Sequence, residues 1–324
     1  MKEKPFIHCF RTYNCCYFYD FNTNAIVRIP ESVYVHLQHL EKGTANISEC
    51  DADVNEILNR LTEQGFLSSH HWCKIEHPAS RLLENYLEGS VQSLTLQVTQ
   101  QCNLKCEYCP YSGGFYNRQH NNRKMSFEIA KKAIDFYFLH SFDIPDAQIG
   151  FYGGEPLIEF EMIRRIVEYC NNEYYGKKIR YFVTTNATLL TEEKIDFLMK
   201  NNFVLTISLD GPRQYHNKNR HRVDDTGSFD IVMENIKMVY RKYPDKKENI
   251  QFNCVIDPEA DLKCINDFFI KEEALREYRV LFNSISREGI KEDDKFLPGD
   301  SYFEQYEYEV FKICLLYTSP SPRD

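Results

Sequence analysis

Thr99-Gln100-Gln101-Cys102-Asn103-Leu104-Lys105-Cys106-Glu107-Tyr108-Cys109-Pro110 carries three cysteines with three and then two intervening residues, directly after the alternating apolar positions Leu94, Leu96 and Val98. Alternation at period two marks a strand, so the cysteines lie on the loop leaving its C-terminal end. An iron–sulfur cube that only transfers electrons takes four thiolates, whereas three closely spaced cysteines leave one iron open to a substrate or cofactor. The rival is zinc, which closes a structural site with three Cys and one His. His120 is the first histidine downstream and lacks the paired spacing of a zinc knuckle, so the pattern favours the cluster.

Working outward, further strands are expected near residues 147–152, 180–185, 203–208, 250–256 and 278–283, each separated by a helical segment. Ser126 caps a helix with the apolar stripe Ile129, Ala133, Ile134 and Tyr137. Thr191 caps another, with Glu192 and Glu193 in the first turn where the helix dipole favours them. Strand then helix, repeated, implies an α/β fold with parallel pairing and right-handed crossovers. Six repeats fit a partial barrel; an open doubly wound sheet has almost the same periodicity.

Three segments fall at the expected C-terminal strand ends, where parallel barrels hold their ligands. They are Phe151-Tyr152-Gly153-Gly154-Glu155-Pro156, Thr184-Thr185-Asn186 and Ser208-Leu209-Asp210-Gly211-Pro212. Gly153 and Gly154 let backbone approach a ligand, and Glu155 offers an acceptor to an ammonium. Each segment alone reads as a turn. In order behind the cysteine loop, they resemble the radical S-adenosylmethionine superfamily. His216, Arg220 and Gly227-Ser228-Phe229 are similar to the segment that follows in its peptide-modifying members.

The resemblance covers roughly residues 92–312 and implies a partial (β/α)6 TIM-like barrel. It implies a 4Fe–4S cluster on Cys102, Cys106 and Cys109 with one open iron, and S-adenosylmethionine as the second cofactor. By the same precedent Gly153, Gly154, Glu155 and Pro156 hold the methionine amino group, and Tyr108 lies close enough to the cysteines in sequence to flank the adenine. Thr185, Asn186, Ser208 and Asp210 fall where ribose and carboxylate are contacted, and Arg220, in the segment that follows, is expected to bind the cofactor as well. No catalytic acid or base is identified by this reading.

Residues 1–75 differ in pattern. Phe6 to Arg11, Cys16 to Tyr19 and Ala25 to Ile29 read as short strands, with Asn22-Thr23-Asn24 as a turn. Two helices follow; the second presents Val54, Ile57, Leu58 and Leu61 on one face and stops at Gly65. This order resembles the small winged-helix domain with which peptide-modifying radical enzymes take a leader segment as an added β-strand. The alternative is a capping subdomain. Residues 76–91 are read as a linker and 92–312 as the barrel. The tail 313–324 looks like translated adapter sequence breaking an amphipathic helix (Phe303, Tyr306, Val310, Phe311), so a SPASM or twitch extension is expected to be missing.

A net charge of −9 argues against nucleic acid as the main partner. No apolar run is long enough to cross a bilayer and the N-terminus lacks a signal-peptide core, so the chain is expected to be cytoplasmic with reduced thiols. Cys9, Cys15, Cys16, Cys50 and Cys73 lack paired ligand spacing and are read as structural, as are Cys254 and Cys264.

The expected function is a radical S-adenosylmethionine peptide maturase. One electron from the cluster cleaves the cofactor, and the 5′-deoxyadenosyl radical modifies a ribosomally made, Cys-rich peptide, for example by a thioether crosslink. Its partners would be a leader-bearing precursor peptide and a reductant such as flavodoxin or ferredoxin. An anaerobic sulfatase maturase forming formylglycine is the alternative enzyme. From another class comes a non-catalytic leader-binding protein; a zinc-stabilised adaptor needs a fourth ligand that the spacing does not supply.

Overall fold

The computed structural model describes residues 4–43, 51–72, 74–116 and 119–318. The expectations for Cys50 and Cys73 lie outside these residues, as does the tail from 319 to 324. The chain divides into two compact units, residues 1–81 and 82–324.

In the first unit, β1 (Ile7–Arg11), β2 (Cys16–Asp20) and β3 (Ala25–Ile29) form an antiparallel meander in the order β1-β2-β3. Its inward positions Ile7, Cys9, Cys16, Phe18 and Ile29 are buried. They pack on Val33, Leu37 and Leu40 of α1 (Glu31–Lys42) and Val54, Leu58 and Leu61 of α2 (Ala52–Glu63). The α2 helix ends as its sequence suggests, with Gly65 at φ 90° and Phe66 N–H donating to the Leu61 carbonyl at 3.0 Å. Asp20 is the internal anchor that the pattern did not show. Its carboxylate accepts from the backbone of Asn22 (3.0 Å), Thr23 (2.9 Å) and Leu67 (2.8 Å), tying the β2–β3 turn to the chain's return.

The second unit opens with α3 (Leu83–Gly89), inside the stretch read as a linker, and β4 (Leu94–Thr99). A short strand, β5 (Leu104–Cys106), precedes α4 (Phe127–Leu139), β6 (Asp146–Gly153), α5 (Phe160–Glu173), β7 (Lys178–Thr185), α6 (Glu192–Lys200) and β8 (Phe203–Ser208). Then come α7 (Arg213–Asn219), β9 (Arg220–Arg222), α8 (Phe229–Lys242), β10 (Ile250–Ile256), α9 (Leu262–Lys271), β11 (Arg279–Ser284) and α10 (Asp300–Thr318).

Six strands pair in parallel in the order β4-β6-β7-β8-β10-β11. A doubly wound sheet reverses its strand order at a switch point. Here the order runs one way, so the sheet curls as a partial barrel. One face is apolar: Leu96, Val98, Ile149, Phe151, Val183, Leu205, Ile207 and Phe252 are buried with Ile134, Ile163, Ile166, Leu198, Ile236 and Ile265 of the surrounding helices. Burial of this kind contributes about 25 cal/mol for each Å² of apolar surface.

Two helix faces differ from expectation. Ser126 does cap α4, accepting from Ile129 N–H at 3.3 Å. Its buried positions are Ala130, Ile134, Tyr137 and Phe138, while Ile129 is 58% exposed. The apolar residues of α4 exceed one face, and the 130/134/137 spacing matches the helical period better than a stripe begun at 129. On α10 the packed face is Tyr302, Gln305 and Glu309, with Gln305 accepting from Leu262 N–H and Glu309 from the Asn266 amide, both at 3.0 Å. Phe303, Tyr306, Val310 and Phe311 are exposed. Among the described residues no helix is long and apolar enough to cross a membrane.

Candidate active site

The cysteine loop is held between two strand ends. Gly153 sits at φ 146°, and a Cβ there would lie 2.1 Å from the Thr99 carbonyl oxygen; one on Gly154 would lie 2.0 Å from that of Gln101. Only glycine permits this approach. It lets Gly154 N–H donate to Thr99 (3.1 Å) and Glu155 N–H to Gln101 (2.8 Å), stitching β6 to the start of the loop. Pro156 opens the 3-10 turn Pro156–Glu159 behind it.

Glu155 is fully buried. Its carboxylate accepts from Thr185 Oγ1 (2.7 Å) and from the backbone N–H of Leu157 (3.0 Å) and Asn186 (2.8 Å). These bonds make the side chain a strut between the ends of β6 and β7. Asn186 in turn donates to Asn103 Oδ1 at 2.9 Å, next to Cys102.

The other side of the loop is gripped by a ladder that sequence reading missed. β5 pairs antiparallel with β9, placing Cys106 opposite Arg220 and Lys105 opposite His221. Strands of three residues carry no detectable period, and their partners lie far apart in sequence. Glu107 N–H extends the contact to Asn219 O (2.9 Å), and its carboxylate meets His221 Nε2 (3.1 Å) and Lys295 Nζ (2.8 Å).

Asp210, two residues past β8, gathers this region. It accepts from Tyr108 OH, from Arg220 Nε (2.7 Å) and from Val255 N–H (3.0 Å). Arg220 also lies over the Tyr108 ring, 5.4 Å from its centroid. Ser208 is buried at the end of β8. His216 supports Arg220 from behind: Ser228 Oγ donates to the Arg220 carbonyl (2.8 Å) and so accepts from His216 Nε2 (3.0 Å), leaving Nδ1 to accept from Asp210 N–H (3.3 Å). Burial pushes the His216 pKa down to about 4, so the ring is neutral. Gly227 is packed against the Asn217 side chain, whose oxygen accepts from Phe229 N–H at 3.0 Å.

Cys102 and Cys106 line a cavity of about 690 Å³ with Glu107, Tyr111, His120 and His221. His120 comes back toward the cysteines, its Nε2 3.8 Å from Cys109 Sγ. Its Nδ1 faces the Gln100 carbonyl at 2.9 Å, which accepts only, so Nδ1 carries the proton. The Ser112–Gln119 bridge that folds this loop back is not visible in spacing. Burial pushes the thiols up, Cys106 to about 12 and Cys102 to about 11, with Cys109 raised for the same reason. A metal must therefore displace their protons.

Three thiols and one imidazole suit zinc in composition. Among the described residues, however, no three Cys, His, Asp or Glu side chains converge on one ion. A cube carries irons at its own corners and is met by ligands standing further apart. A thiol-rich loop over a roomy cavity, backed by a glycine cradle, fits a cluster.

Sequence comparison agrees. The chain is 31% identical over 170 residues to the serine-type anaerobic sulfatase-maturating enzyme of Bacteroides thetaiotaomicron, covering 52% of this chain and 37% of that protein. It is 28% identical over 258 residues to the radical SAM cyclopropyl synthase TigE of Paramaledivibacter caminithermalis, covering 72% and 52%. It thus spans about half or less of the length of these curated relatives. The solved structure of native anSMEcpe with bound AdoMet is alike in fold, with a TM-score of 0.56 at 23% identity over 68% of this chain and 60% of that one. The profile of the Radical SAM superfamily matches residues 96–268, just over half of the chain, and the chain therefore belongs to that superfamily.

Proposed function

We propose that this radical SAM enzyme modifies a side chain of a polypeptide. The observation that carries the reading is a row of hydrogen-bonding side chains across the sheet face opposite the apolar core. Gln97 of β4 pairs with Tyr152 of β6, and Thr184 of β7 pairs through Thr206 of β8 and Gln251 of β10 to Arg279 of β11. Tyr152 and Thr184 follow directly on the paired Phe151 and Val183. Amides, hydroxyls and a phenol match the donors and acceptors of an extended peptide. The row contains no carboxylate, and its one cation stands on the edge strand.

The family implies a 4Fe–4S cluster and S-adenosylmethionine. Bound together, they supply a strong hydrogen-abstracting radical from one electron. Cys102, Cys106 and Cys109 would hold the cluster. Gly153, Gly154 and Pro156 would shape the cradle for the amino end of the cofactor, braced by Glu155 and Thr185, and Tyr108 would flank its adenine. Ser208 and Arg220 would meet the carboxylate. Asp210 engages Arg220 through Nε, and the two terminal amino groups of the guanidinium would be the donors offered to that carboxylate.

The residues 1–81 unit fits leader binding, because among the described residues β3 pairs with β2 alone, whereas the outward Cys9 N–H of β1 is taken by Glu41. A sulfatase-maturase reading rests on the relatives of that name. Anaerobic incubation with S-adenosylmethionine, dithionite and a Cys-containing precursor peptide, followed by mass spectrometry, separates the two. Retained sulfur with a new sulfur–carbon bond marks a crosslink, and loss of sulfur from Cys marks formylglycine. Cofactor cleavage without any change across a panel of such peptides contradicts the proposal.

A further inference from the structure

Asn103, Asn186 and Thr188 form a closed hydrogen-bonded ring at the mouth of the cysteine loop. Asn103 Nδ2 donates to Thr188 Oγ1 (2.7 Å), Thr188 Oγ1 donates to Asn186 Oδ1 (2.6 Å), and Asn186 Nδ2 donates back to Asn103 Oδ1 (2.9 Å). Thr188 N–H also donates to Asn186 Oδ1 at 3.0 Å. A backbone N–H can only donate, so the Asn186 oxygen must face Thr188 and its nitrogen must face the loop. The ring uses one of the two amide hydrogens of Asn186. The nitrogen that carries the other lies 4.0 Å from Cys102 Sγ, which also receives Leu104 N–H at 3.5 Å.

Asn186 has little freedom to turn away. It is 7% exposed, its backbone N–H is held by Glu155 at 2.8 Å, and Ala187 beside it sits at φ 58°, fully buried, in a conformation an L side chain adopts only under constraint. Its oxygen is committed to Thr188 and one amide hydrogen to Asn103, which leaves the second hydrogen for the sulfur. Hydrogen bonds to cluster sulfurs and the partners that orient them are known levers on reduction potential, because they stabilise the more negative, reduced state.

We propose that Asn186 is a positioning residue of the cluster: held by Asn103 and Thr188, it donates its remaining amide N–H to Cys102 and raises the cluster's reduction potential. This assigns Asn186 to the sulfur in place of the cofactor's ribose or carboxylate, and it rests on the reading that Cys102 is a cluster ligand. The bond becomes charge-assisted once Cys102 is a thiolate.

The test is a mediator-controlled redox titration, followed by EPR, of the full chain reconstituted anaerobically without S-adenosylmethionine. Asn186→Leu removes the donor at similar size and adds no charge that would lower the midpoint by itself. Thr188→Val leaves Asn186 in place and breaks the ring that aims it. Both are expected to lower the midpoint, Asn186→Leu by about 59 mV, a tenfold change in a one-electron equilibrium, and Thr188→Val by less. Midpoints equal to or above the wild type in both variants, at wild-type iron content, overturn the inference. Full iron retention in Cys102→Ala would instead remove the cluster assignment beneath it.

Discussion

His216 shows at the scale of one residue how a motif position can be structural. It touches neither the cysteines nor the cavity, yet it orders Ser228, the Arg220 carbonyl and the Asp210 backbone. Its pKa is lowered from 6.5 to about 4 by burial, so the unfolded chain binds the extra proton first. The associated stability is therefore complete above pH 6.5 and is lost as pH falls through 4. At roughly 1.4 kcal/mol per unit, this contributes about 3 kcal/mol over the window. In His216→Gln the melting temperature is expected to vary less between pH 7 and 4.5 than in the wild type. An unchanged slope would place the acid sensitivity elsewhere. Motif spelling made this residue visible; its role depends on the tautomer, which only the three-dimensional partners define.

At the scale of elements, the regular part of the fold was legible because strand and helix periods are local. The six long strands fall within about two residues of their expected positions for that reason. The β5–β9 ladder, the return of His120 and the Asn103–Asn186–Thr188 ring are long-range and leave no local period. The exposed Ile129 was misread because an apolar residue one place off the buried stripe looks the same in sequence. The β5–β9 clamp is fastened by the buried Asp210–Arg220 pair, at 2% and 8% side-chain exposure. Removing one partner leaves a buried charge uncompensated and costs about 3–5 kcal/mol, whereas replacing both with apolar residues often costs little. Urea midpoints should therefore rank Asp210→Leu below the double variant Asp210→Leu/Arg220→Met. A double variant no more stable than the single would mean that the pair does not bear on stability as a unit.

At the scale of the whole molecule, a one-way parallel sheet brings every candidate cofactor residue to one end of the barrel. The cysteine motif and three strand-end segments were enough to anticipate this, since parallel strands present their C-terminal ends together. The sequence did not disclose which motif residues face the cavity and which brace it from behind. Glu155 and Thr185 share their bonds with each other and the backbone, and Arg220 is buried against Asp210 through Nε. On the proposed function this end of the barrel would cleave the cofactor in front of a hydrogen-bonding sheet face without carboxylates, and cleavage would depend on the three-cysteine loop.

That claim is tested most directly by reconstituting the chain anaerobically with iron and sulfide, reducing it with dithionite and assaying 5′-deoxyadenosine from S-adenosylmethionine. Product is expected from the wild type and absent when Cys102, Cys106 and Cys109 are all changed to Ala. No product from a wild-type chain loaded with about four irons, the content of one cube, would contradict it.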